Sequence, residues 1–294
     1  MTVDTAYKSG KSEHDENFPV ASRIIASRYR APILAFYRFA RAADDAADHA
    51  SLDPSSKLAL LDALEDTLLG KSDVALDALP LRAELARCEL TAQHALDLLR
   101  AFRQDVVKTR YNTWAELIDY CRYSAMPVGR FVLDVHGESQ ATWVPSDALC
   151  TALQIINHLQ DCGKDYRDLD RVYIPLDDLA RHGAQVSDLS RSRAPASLLA
   201  CIRDVAKRTG DLLPEASLLP QSVSDLRLGV ETSVIVGLAR DLISLLNKRD
   251  PLAERVHFSK PYAVLVAGRA AVSALVARAI GKRGIYQAVR DDAA

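Results

Sequence analysis

Gln154, Asn157, Asp161 and Asp165 follow one another at steps of three, four and four. On a helix of 3.6 residues per turn they form one polar row on one face. Leu153, Ile155, Ile156 and Leu159 make most of the remaining circumference apolar. The pattern therefore predicts a buried helix that carries acids. Such acids need a basic side chain or a divalent metal, because an unpaired ionised carboxylate is too costly in a low-dielectric interior.

A second row is Asp44 and Asp48, an i, i+4 pair with Arg41 one turn earlier. Asp45 points about 100° away on the same helix. Read alone, this row is an exposed helix face whose acids pair with Arg41. Read with the first, it is half of a site, since two such rows can face each other across a helical bundle. Carboxylates without a thiolate pair make a poor zinc site and suit Mg²⁺, which takes oxygen ligands from a few carboxylates and substrate phosphates. The substrate implied is a diphosphate, ionised by charge neutralisation of its leaving group to leave a carbocation in an apolar tunnel. Arg41, Lys164, Arg171, Arg255 and Lys260 are the candidates to grip the departing anion. For Arg255 and Lys260, ordinary surface charge is the competing reading.

The elements that must position these rows read as helices throughout. Helices are expected over 19–27, 32–49, 54–69, 80–108, 113–136, 146–167, 177–181, 196–213, 222–248 and 259–281, with a loop over 168–175. Pro127 should kink the helix over 113–136 near Ala125 and Met126. The fold class is all-α, a single-domain helical bundle around a central cavity. Residues 1–16 read as a flexible arm, 17–281 as the helical domain and 282–294 as a tail.

The 294 residues, 49% of them hydrophobic, are enough for one large core. Lys and Arg total 37 against 39 Asp and Glu, so there is no basic field for nucleic acid. Five scattered cysteines without CxxC spacing fit reduced thiols in a cytoplasmic protein. No signal peptide is visible, and Arg269 and Arg278 interrupt the longest apolar stretch, which argues against a bilayer span. A soluble protein is expected, at most peripheral to the inner face of the membrane.

RAADDAAD over 41–48 and NHLQDCGKDYRDLDRVYIP over 157–175 resemble the two aspartate-rich signatures of the squalene/phytoene synthase family. AFRQD over 101–105, YCRYSAMPVG over 120–129 and ERVHFSKP over 254–261 support the resemblance, which spans nearly the whole chain. It implies an isoprenoid synthase bundle, Mg²⁺ dependence and carbocation chemistry on farnesyl-derived diphosphates. On that resemblance Asp44, Asp48, Asp161 and Asp165 match the metal-binding aspartates, with Asn157 on the same row. Arg41, Gln154, Arg171 and Tyr173 match positions around the diphosphate, Tyr120 a tunnel-wall tyrosine and Asp105 a further acid in the cavity. For both tyrosines, a core position with a satisfied hydroxyl is the competing reading.

Two stretches depart from the family pattern. Ser124, Met126 and Pro127 stand in the tunnel helix, where Met126 is expected to narrow space that a glycine leaves free, and HDENFPVAS over 14–22 replaces a Ser- and Lys-rich entry. Both resemble the hopanoid-associated branch of the family. That branch implies ionisation of presqualene diphosphate, rearrangement of the cyclopropylcarbinyl cation and capture by water to give hydroxysqualene and diphosphate, with no reductant. The alternatives are condensation of two farnesyl-type diphosphates to presqualene diphosphate, dehydrosqualene or phytoene, and a non-catalytic helical scaffold. Retention of both aspartate pairs argues against the scaffold.

Overall fold

The computed structural model describes residues 25–258 and Gly268. The expected arm, helix 259–281 and tail, Lys260, the HDENFPVAS departure and all but the end of the helix over 19–27 lie outside the described residues. Twelve α-helices run in chain order among those described: α1 (Ser27–Asp48), α2 (Pro54–Leu68), α3 (Leu79–Cys88), α4 (Gln93–Val107), α5 (Trp114–Ser124), α6 (Met126–Val135), α7 (Trp143–Leu169), α8 (Leu176–Arg181), α9 (Ala196–Gly210), α10 (Leu213–Ala216), α11 (Leu219–Ser222) and α12 (Leu226–Leu246). There is no strand among these residues, only an isolated parallel bridge between Arg110 and Val172. The all-α class expected from the periodicity is the one observed.

Helix starts follow local chemistry where a cap is present. The Asp53 carboxylate accepts from the backbone N–H of Ser55 and Ser56 at 2.9 and 3.0 Å, and Pro54 opens α2 where no N–H is needed. Several expected boundaries moved, and three show the cause. Pro32 does not start a helix but is the sixth residue of α1, where it forfeits the bond to the Arg28 carbonyl while its ring joins the buried face with Ile33 and Phe36. The helix expected over 80–108 divides at Glu89, whose left-handed backbone (φ 55°) ends α3 and lets the Leu90 N–H reach the Leu85 carbonyl at 2.9 Å. The kink expected at Pro127 is a full break: Ala125 leaves helical geometry (φ −129°, ψ −48°), and Pro127 sits in the first turn of α6.

The core has two lobes. Phe39 of α1, Leu61 of α2 and Leu98 of α4 anchor one, with Phe131 of α6 stacked on Phe36 at 4.0 Å. Ile155, Ile156 and Leu159 of α7 anchor the other, packed with α9 and α12. Thus α1 and α7, which carry the two aspartate rows, belong to different lobes, and the space between them is the seam.

Candidate active site

An apolar cavity of about 330 Å³ occupies that seam. Ile33, Phe36, Tyr37 and Ala40 of α1 line one wall, and Ser146, Leu149, Cys150 and Leu153 of α7 another. Continuing each helix by one turn replaces the apolar lining with the acids: Asp44 follows Ala40 by four residues, and Asn157, Asp161 and Asp165 follow Leu153 at steps of four. The wall from α6 includes Val128 and Gly129; Met126 is not among the lining residues, because the break at Ala125 sets it at the first position of a new helix. The expectation that Met126 narrows the cavity is corrected accordingly. Gly129 permits the close approach of α6 to α7, since a β-carbon there would lie 2.6 Å from Cys150 Sγ.

Charge is concentrated at the cavity's aspartate end. Arg41 bridges Asp44 (2.7 Å) and Asp45 (2.9 Å), so Asp45 shares the arginine despite its divergent direction. Arg171, only 6% exposed, spans the lobes: Nη1 donates to Asp48 Oδ1 at 2.5 Å and Nη2 to the Asp105 carbonyl at 3.1 Å. Asp105 is buried on α4 and accepts from the Tyr120 hydroxyl at 2.7 Å and the Tyr173 hydroxyl at 3.2 Å. Burial outweighs these partners and pushes its carboxyl up to about 7. Desolvation, then the nearby Asp48, also raises Asp44 to about 7, and desolvation, then Asp161, does the same to Asp165. Asp48 contributes to the rise at all three, so its charge is felt by both rows.

Some expected residues are placed differently. Asp161 is exposed and Asp165 only partly buried, so the α7 row opens to solvent rather than lying in a sealed interior. Lys164 is half-exposed and faces Asp168 at 3.6 Å. Arg255 is exposed; it and Asp161 both act on His257, which puts it near the end of the α7 row. Gln154 Nε2 lies 3.1 Å from His158 Nε2, and Asn157 is half-buried on the site face.

Three residues joined the site that residue types and spacing did not single out. His158 stacks on Tyr173 with ring centroids 3.5 Å apart, and Tyr111 completes an aromatic group with Tyr120 (5.2 Å) and Tyr173 (5.5 Å). Burial, then Arg171, pushes the imidazole down to about 3 and keeps it neutral. Lys57 of α2 feels both Arg171 and Asp48. His158 had a signal, being four residues beyond Gln154 and within about 60° of Asp161 around the helix. Tyr111 and Lys57 lie outside both motifs and carried none.

Among the described residues, no three His, Cys, Asp or Glu side chains already converge as a cation cage. The donor chemistry nonetheless fits a hard divalent cation: the candidate ligands are all oxygen, and Asp44 and Asp165, raised by burial and then by like charge, are groups a cation would relieve. No helix among these residues is long and apolar enough to cross a membrane.

A family model described as squalene/phytoene synthase matches residues 11–262. The chain is 53% identical over 283 residues to a hydroxysqualene synthase of Rhodopseudomonas palustris, covering 96% of this chain and 97% of the relative. It is 52% identical to a hydroxysqualene synthase of Sinorhizobium fredii, with 97% of each covered. Among solved structures, squalene synthase HpnC of Alicyclobacillus acidocaldarius is similar at TM-score 0.67 and 33% identity, over 76% of this chain and 85% of that one. A dehydrosqualene synthase shares the fold at TM-score 0.75 and 23% identity, over 86% and 90%.

Proposed function

The chain belongs to the squalene/phytoene synthase family, and from that premise we propose that it is a Mg²⁺-dependent hydroxysqualene synthase. It ionises presqualene diphosphate, rearranges the cation and lets water capture it, giving hydroxysqualene and diphosphate. The observation that carries this reading is the near-full-length likeness to relatives named hydroxysqualene synthase.

In this reading Asp44, Asp48, Asp161 and Asp165, with Asn157, hold the cation, which when bound supplies charge neutralisation for the leaving diphosphate. Arg41 and Arg171 offer guanidinium forks to its oxygens, with Arg255, Lys164 and Gln154 at the periphery. The α1, α6 and α7 walls exclude bulk water from the hydrocarbon arms and leave the cation few nucleophiles. On the family resemblance Tyr120 stands at the tunnel wall, where an aromatic face stabilises positive charge at close range, and Tyr111 and Tyr173 pack against it. Asp105 orients Tyr120 and Tyr173 through their hydroxyls. Peripheral contact with a bilayer belongs to the same reading, because the product is a hydrocarbon-like alcohol.

The test is incubation of the purified chain with presqualene diphosphate and Mg²⁺ without NADPH. Hydroxysqualene and diphosphate are expected in equal amounts. Turnover of farnesyl diphosphate to a hydrocarbon or to presqualene diphosphate, with no alcohol from presqualene diphosphate, would assign the chain to prenyl condensation instead.

A further inference from the structure

Capture of the cation requires one water held at a defined place beside an otherwise apolar wall. Building on the reading above, we propose that His158 holds that water. The residue stands at the aspartate end of the site: it lies one turn beyond Gln154 and shares its side of α7 with Asp165, while Leu153 of the apolar wall is about 140° away around the helix. A diphosphate gripped by the aspartate rows would lose its C–O bond beside this side of α7, so the cation begins near His158.

The ring is fixed and one nitrogen is free for the task. Tyr173 stacks on it at 3.5 Å with planes 16° apart, and Tyr120 lies 6.0 Å away. The Gln154 amide nitrogen donates to Nε2 at 3.1 Å, which puts the ring hydrogen on Nδ1 and leaves Nδ1–H to donate to a water oxygen. The neighbouring hydroxyls are committed elsewhere, those of Tyr120 and Tyr173 both to Asp105.

The step balances without a redox partner. One lone pair of the water rests on Nδ1–H and the other forms the C–O bond to the cation. One O–H bond of the water breaks, and its proton passes to an oxygen of the diphosphate released in the same turnover. The organic product is then a neutral alcohol.

Three substitutions separate the ring's roles, each assayed with presqualene diphosphate and Mg²⁺ for diphosphate release and for product identity. His158→Phe keeps an aromatic ring on Tyr173 and removes both nitrogens. Diphosphate release should stay within about threefold of wild type, while the alcohol share falls at least tenfold in favour of elimination hydrocarbons. His158→Asn keeps a polar group near the Nδ1 position and should retain most of the alcohol; His158→Gln keeps one near Nε2 only and should behave like the Phe variant. Melting curves identify any variant that fails to fold, and the Asn and Gln pair decides if Phe is lost. An unchanged alcohol share in the Phe or Gln variant overturns the proposal, as does a parallel loss of release and alcohol in a folded variant. Wild-type protein that releases diphosphate but makes no alcohol would instead overturn the hydroxysqualene synthase reading itself.

Discussion

Arg171 Nη1 lies 2.5 Å from Asp48 Oδ1, joining side chains 123 residues apart across the seam between the two lobes. The same guanidinium holds the Asp105 carbonyl, so one buried cation braces α1 against α4 while facing the acids of both rows. Arg171→Ala should lower kcat/KM for diphosphate release by about 10²–10³-fold, the scale seen when a preorganised donor to a developing anion is removed. It should also lower the melting temperature, since Asp105 and Asp48 lose their counter-charge. Arg171→Lys should restore much of the stability and little of the rate, because an ammonium cannot reproduce the fork.

Asp161→Asn should abolish turnover with little cost to the fold. Asp161 is exposed, and its charge is one reason Asp165 is raised. The amide relieves that repulsion, so the melting temperature of the metal-free protein should hold or rise. Near-normal activity in this variant would remove Asp161 from the metal set.

Stability should depend on pH in a direction unusual for aspartates. Asp44, Asp105 and Asp165 are raised from 3.8 to about 7 in the fold, so the folded state binds protons more tightly than the unfolded chain. Their contribution is complete below the unfolded value and is lost as pH rises through about 7. Asp105, 5% exposed, should dominate, because Asp44 keeps a third of its side chain accessible. Metal-free protein should therefore melt at a lower temperature at pH 7.5 than at pH 5.5, and Mg²⁺ with inorganic diphosphate should recover more of the loss at the higher pH. Thermal melts across this window, with and without the pair of ligands, check both parts.

Gly129→Ala should destabilise the protein by about 1–3 kcal/mol, the usual cost of forcing a methyl group into a packed contact. A β-carbon at this position meets the side-chain ends of Ser146 and Cys150 on α7, so both must turn away or the two helices must separate. Because Gly129, Ser146 and Cys150 all line the cavity, the same substitution should raise KM more than it lowers kcat.

Much of this site was legible in the chain itself. A carboxylate row at steps of four is local information, since helix geometry alone places Asp161 and Asp165, or Asp44 and Asp48, on one face. Helical periodicity likewise announced most elements, and Pro54 marked the start of α2. What was not legible depended on partners far away in sequence. Glu89 ends α3 in a left-handed conformation that no glycine signals, and Ala125 turns an expected kink into a break. Lys164, one residue from Asp165, turns to Asp168, while Lys57 approaches from another helix.

The sequence by itself determined the helical class, the two acidic rows and the oxygen-donor chemistry they imply, because each rests on residue type and on spacing within a few turns. Only the tertiary structure decided that Arg171 serves Asp48, that Asp105 gathers Tyr120 and Tyr173, and that His158 stacks on Tyr173. Those relations arise from the packing of two lobes against each other, and side-chain burial and long-range charge have no local pattern from which they could be read.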